Sequence, residues 1–119
     1  MDELGEQLAG WGKVLRLETR GRVSGRPVEV AVGYVEENDA SVLVAAGSPD
    51  ADWARNLDAD PRCSVSMGDE GRWAAVAEPV SGPDAGRAVR ELILKYGTQA
   101  ERLGLGPVYR LRRAGPAAA

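Results

Sequence analysis

Histidine and phenylalanine are absent from this chain, and cysteine occurs once, at Cys63. Without an imidazole there is no Ser-His-Asp triad, no histidine base and no histidine-held zinc. A lone thiol supports neither an internal disulfide nor a cysteine metal cluster, so no metal is expected and a reducing, cytoplasmic setting fits. No apolar run approaches the roughly 20 residues of a membrane span, and the acidic start Met1-Asp2-Glu3 does not read as a signal peptide. An excess of positive charge is missing too. The formal net charge is −3, which argues against a nucleic-acid partner held by a general basic field. A small-molecule partner is what these absences leave.

The positive charge that exists is concentrated. Between residues 16 and 26 there are four arginines against one acid, Glu18. Residues 19–27, Thr-Arg-Gly-Arg-Val-Ser-Gly-Arg-Pro, form a turn by composition, because glycine permits backbone angles that other residues resist and proline fixes the exit. Backbone N–H groups, the Ser24 hydroxyl and the guanidinium forks of Arg20, Arg22 and Arg26 converge there, a set suited to phosphate or carboxylate. The same composition also describes an ordinary hairpin loop with solvated arginines, and composition alone does not choose between the two.

A length of 119 residues sets one domain, residues 1–119. Leu4 and Leu8 suggest a helical cap within residues 1–12. Alternation predicts strands over 14–19, with Leu15 and Leu17 on one face, and over 28–35. In the second, Val28, Val30, Val32 and Tyr34 share a face, while the small Ala31 and Gly33 on the other leave room for something to lie close to the backbone. The continuous apolar run 41–46 suggests a strand buried on both faces.

Asp50 or Asp52 then caps a short helix that runs to about residue 59, with Trp53, Asn56 and Leu57 on one side and Pro61 preventing continuation. Strands follow over 63–67 and 72–80, joined by a turn at 68–71. A helix over 83–96 carries the stripe Val89, Leu92, Ile93 and Tyr96 and ends at Gly97. A last strand spans 107–112 with Val108 and Leu111 as its apolar members, before a tail, 114–119, expected to be disordered. These elements read as mainly β, α+β: a small antiparallel split barrel of about six strands with two or three peripheral helices.

Three segments in this order resemble the deazaflavin-dependent nitroreductase family, small split-barrel oxidoreductases that use reduced coenzyme F420. They are TRGRVSGRP at 19–27, against a pattern T-T-x-G-R-[KR]-[ST]-G-x-P; VLVAAGS at 42–48; and DWARNLDADPRCSVSMG at 52–68, against W-x-x-N-L-x-A-x-P. The likeness covers about residues 14–80. It implies that Arg20, Arg22, Val23, Ser24 and Arg26, with Val28, Val30 and Val32, hold the tail and ring edge of the cofactor. It implies further that Ala46, Gly47 and Ser48 with Trp53, Arg55 and Asn56 complete the pocket. Val23 stands where the pattern has lysine or arginine, the loop between Ser48 and Trp53 is short, and the ending GLGPVYRLRR lacks the family's aromatics.

The activity so implied is transfer of hydride from the reduced deazaflavin to a small conjugated acceptor such as a quinone, a nitroaromatic or an enone. The cofactor carries the reactive chemistry, so a chain without histidine suffices. Tyr109 and Tyr34 are the candidate donors to the acceptor oxygen, with Tyr109 ranked first. Alternatives are the same fold with FMN, a specialised biosynthetic step, or a carrier of a deazaflavin or hydrophobic metabolite without turnover. A small chain with few aromatics also leaves room for a homodimer. Beside these stand plainer readings: Trp53, Leu57, Cys63 and Trp73 as core, Asn56 as a tie for the neighbouring loop, Arg16 and Arg112 as solvated strand faces.

Overall fold

Alternating residues in this chain become one curved sheet with a different apolar cluster on each side. The computed structural model describes residues 14–37, 39–48, 50–67, 71–96 and 106–114. The strands are β1 (Leu15–Arg20), β2 (Pro27–Val32), β3 (Val35–Glu36), β4 (Val42–Ala45), β5 (Arg62–Met67), β6 (Trp73–Val80) and β7 (Val108–Arg113). Helix α1 (Asp52–Ala59) lies between β4 and β5, and α2 (Gly82–Tyr96) between β6 and β7. All pairings are antiparallel, in the order β2-β1-β5-β6-β7-β4-β3. The expected mainly β split barrel is therefore what forms, with seven strands and two helices among the described residues. The readings of residues 1–12, of the turn at 68–70, of Gly97 and of the tail beyond Ala114 fall outside the described residues. Ala114 itself extends the β6 ladder, its N–H donating to the Ala74 carbonyl at 2.9 Å.

Inside the curve, Leu15, Leu17, Val65, Ala75, Ala77 and Leu111 meet Val42, Val44, Tyr109 and the Ala54 and Leu57 side chains of α1. Outside it, Leu43, Ala45 and Val108 pack against Ala88 and Leu92 of α2. Strand β4 faces both clusters, which is why its apolar run is unbroken. Each fully buried leucine contributes about 1.5–3 kcal/mol. Cys63, Met67 and Trp73 pack on the inner cluster, and Arg113 stacks 4.2 Å above the Trp73 ring.

The order places β2 and β3 at opposite ends of the sheet, although two residues separate them in the chain. They are two halves of one bent segment, and this brings the sheet round into a barrel. The single strand expected over 28–35 is thus broken at Gly33 and Tyr34. The cause lies in α2. The Tyr96 ring rests on Gly33, where a Cβ would stand 3.0 Å from its Cε2. The Tyr34 N–H donates to the Tyr96 hydroxyl at 3.0 Å, and Lys95 Nζ donates to the Tyr34 carbonyl at 2.8 Å. The end of a helix replaces the strand ladder at this point, and the room beside Gly33 is filled by that ring.

Helix α1 also departs from expectation at its start. Ala51 is its N-cap and no side chain caps it; Asp52 lies within the first turn, where its charge favours the helix dipole, and Arg22 occupies its carboxylate.

Candidate functional site

The arginine and glycine corner is a turn closed by its own backbone. Gly21 N–H donates to the Arg26 carbonyl and Gly25 N–H to the Gly21 carbonyl, both at 2.8 Å. Gly25 sits at φ +74°, in the left-handed region that glycine occupies without strain. The Ser24 hydroxyl accepts from Arg26 N–H at 3.1 Å.

Asn56 then anchors this turn to the barrel. Its side chain is 2% exposed, its Oδ1 accepts from Arg22 N–H at 3.2 Å and from Arg22 Nη1 at 2.8 Å, and its Nδ2 donates to Thr19 Oγ1 at 3.1 Å. Arg22 completes the clamp through Nη2 to Asp52 Oδ1 at 3.2 Å. Helix α1, the turn and β1 are joined by one buried amide.

The expected cofactor-binding residues consequently divide. Arg22 and Asn56 are engaged with each other. Val23, at 94% exposure, and Ser24, Gly25 and Arg26 form the outer rim of the turn. Arg20 is 63% exposed, its Nη1 3.4 Å from the Gly25 carbonyl and its Nε 3.8 Å from Asp60. Along β2, Val28 is exposed, while Val30 and Val32 pack against the inner cluster. Ala46 is buried and its N–H donates to the Pro107 carbonyl; Gly47 and Ser48 are exposed, and the Ser48 hydroxyl accepts from Asp50 N–H. Arg55 is exposed on α1. Trp53 is half-buried, its ring centroid 6.0 Å from that of Tyr109.

The two tyrosines are held elsewhere. Tyr109 is 2% exposed, and its hydroxyl lies 2.8 Å from Asp58 Oδ1 and 3.1 Å from the Ala54 carbonyl. Burial, reinforced by the Asp58 carboxylate, pushes its phenol well above the usual range. Tyr34 is buried at the strand break, with Lys95 Nζ 3.7 Å from its ring centroid. Tyr109 is thus tied to α1 and Tyr34 to the end of α2.

One feature escaped the sequence reading. A cavity of about 280 Å³ adjoins the turn, lined by Glu18, Thr19, Arg20, Pro27, Arg62, Cys63 and Ser64. Arg62 binds Asp60 in two-point fashion, Nε to Oδ1 at 3.0 Å and Nη2 to Oδ2 at 2.9 Å. Hydrogen bonds from Arg62 hold the Asp60 carboxyl at about 2. The signal for Arg62 is in the strand register. Thr19 pairs with Cys63, so one step further sets Arg20 against Arg62. A second depression, between α2, β7 and the β3–β4 turn, is lined by charges already paired, Glu37 with Arg110 and Arg87, and Asp39 with Arg112.

Residues 2–103 match the model of the F420H2-dependent quinone reductase family. The chain belongs to that family. Among solved structures, an F420-H2 dependent reductase, FDR-A, is 26% identical, with a TM-score of 0.71 over 84% of this chain and 94% of that one. A structure described as a domain-swapped dimer is 24% identical, with a TM-score of 0.71 over 92% and 95%. HutZ, the heme storage protein of Vibrio cholerae, is 21% identical, with a TM-score of 0.73 over 91% and 86%. No functionally curated sequence matches the chain. Coenzyme F420 is the family's cofactor, as the resemblance implied. The donor set here suits its acidic tail, because Arg20 and Arg26 stand exposed on a turn braced from behind, beside the exposed Val28 of β2.

Proposed function

We propose that this chain is an F420-dependent reductase that passes hydride to a small conjugated acceptor, a quinone, a nitroaromatic or an enone. Family membership over residues 2–103 is the observation that carries this reading. When bound, the deazaflavin supplies the hydride. The chain's own part is to bind and orient. Arg20 and Arg26 offer two-point contacts to phosphate or carboxylate, and Ser24 adds a hydroxyl at the same rim. The Arg22–Asn56–Asp52 clamp keeps that rim rigid, so little ordering cost falls on binding. Val28 and Trp53 offer apolar surface beside it for a flat ring.

Nothing in this scheme needs a protein nucleophile. The Cys63 thiol, 3.7 Å from the Ala75 carbonyl, is kept protonated by burial, which pushes it up to about 12. Among the described residues no helix is long and apolar enough to cross a membrane.

Titration of the protein with F420 and with FMN, followed by oxidation of F420H2 in the presence of menadione, tests the proposal. Selective F420 binding with menadione-dependent oxidation is the expected result; preference for FMN, or no binding of either, rejects it. A second reading, a carrier without turnover, is favoured by one observation: the Tyr109 hydroxyl is buried and engaged by Asp58 and Ala54. Tight F420 binding with no oxidation across a panel of acceptors would select it. The heme storage protein shares the fold at 21% identity, and with His 0 this chain has no imidazole to offer a heme iron. Homodimerisation, supported by the domain-swapped neighbour, is checked by light scattering.

A further inference from the structure

The pocket beside the turn places two like charges where a sheet ordinarily avoids them. Continuing the β1–β5 register sets Arg20 directly opposite Arg62, an arrangement that is destabilising by itself. One carboxylate offsets the pair: Asp60 takes Arg62 at 2.9 Å and Arg20 at 3.8 Å. The other acid in the wall, Glu18, is drawn away by Arg72, which also binds Glu29. Arg20 and Arg62 thus share a single carboxylate, Asp60, while Glu18 and Glu29 share the single guanidinium of Arg72. The Arg20 and Arg62 side chains are 63% and 77% exposed, and both line the cavity of about 280 Å³, together with Ser64.

We propose that this pocket is an anion subsite, in which Arg20 and Arg62 take a carboxylate or phosphate group and Asp60 occupies part of the same donor set as a tethered competitor. Resting on the proposed function, the ligand is the acidic tail of the deazaflavin, which runs past the rim of the turn to reach Arg62. The competitor role makes a prediction of unusual sign. Removing the negative charge of Asp60 strengthens anion binding, whereas a carboxylate that served only to build the site would weaken it when neutralised. The cap of α1 survives such a change, since it is the Asp60 backbone N–H that donates to the Asn56 carbonyl.

The test has two arms. In the first, the full chain is titrated with inorganic phosphate and with glutarate, and backbone amide shifts of Cys63 and Ser64 are followed by NMR. Saturable shifts are expected in the wild type, weakened about fivefold in Arg62→Gln and tightened in Asp60→Asn. Absence of saturable shifts in the wild type, or weakening in both variants, overturns the subsite. In the second arm, F420 is compared with a deazaflavin lacking the phosphate and carboxylates. Arg62→Gln is expected to weaken F420 alone; equal weakening of both, or of neither, overturns the assignment of the tail. If the wild type binds phosphate but neither deazaflavin, the proposed function and the tail assignment fall while the anion pocket stands.

Discussion

Asn56 accepts both the backbone N–H and the Nη1 of Arg22, at 3.2 and 2.8 Å, across 34 positions of sequence. The exposed turn is therefore stabilised by a buried residue. Replacing Asn56 with Leu leaves the buried Thr19 hydroxyl and the part-buried Arg22 N–H short of a partner. The expected cost is about 1–3 kcal/mol, read as a lower midpoint in urea unfolding. Arg22→Ala, which keeps the Asn56–Thr19 bond, is expected to cost less. An unchanged midpoint in the Asn56 variant would refute the clamp.

Gly33 and Tyr96 make the second long-range joint. In Gly33→Ala the new methyl stands 3.0 Å from the Tyr96 ring, so the ring or the bent strand has to shift, at an expected cost of about 1–3 kcal/mol. Tyr96→Phe instead removes the acceptor of the Tyr34 N–H, about 1–2 kcal/mol. Because the two changes disturb one contact, their effects are expected to be non-additive in a double-mutant cycle. Strict additivity would show that Tyr96 does not set the break.

These two joints also mark where sequence reading stops. The buried run of β4, the alternation of β1 and β5 and the stripe of α2 were legible because periods of two and 3.6 are local properties. The break at Tyr34 was not, since its cause sits 62 positions away in Tyr96. Arg22 was read as an anion partner because residue type and the turn motif say so; its engagement by Asp52 depends on where α1 docks. Arg62 was passed over because its meaning comes from standing opposite Arg20, and register between non-consecutive strands is a tertiary fact. Tyr109 was ranked first as a donor, and its bond to Asp58, 51 positions away, could not be read.

Cys63 gives a prediction in pH. Burial raises its thiol from an ordinary value of 9.0 to about 12, so the folded state binds the proton more tightly than the unfolded chain. Its contribution is fully present below pH 9 and is lost as pH rises from 9 through about 12. Urea midpoints are expected to fall over that window in the wild type and to fall less in Cys63→Ala. At pH 8 the native thiol is expected to react with a disulfide reagent far more slowly than the thiol of the urea-unfolded chain. Equal rates would mean that Cys63 opens to solvent.

Tyr109→Phe decides between two roles for the buried hydroxyl ranked first as a donor to the acceptor oxygen. Its bonds go to Asp58 and Ala54, so it fastens α1 to β7, and the variant leaves the Ala54 carbonyl and the Asp58 carboxylate without that donor. A stability loss of about 1–2 kcal/mol is expected, reported by thermal and urea unfolding. Turnover is expected to hold within about twofold at a temperature where both proteins are folded, because an interaction absent from the transition state leaves kcat unmoved. The opposite pattern, an unchanged melting temperature with a hundredfold loss of kcat, of the size general acid catalysis supplies, would return Tyr109 to the substrate oxygen and require α1 to swing away during the reaction.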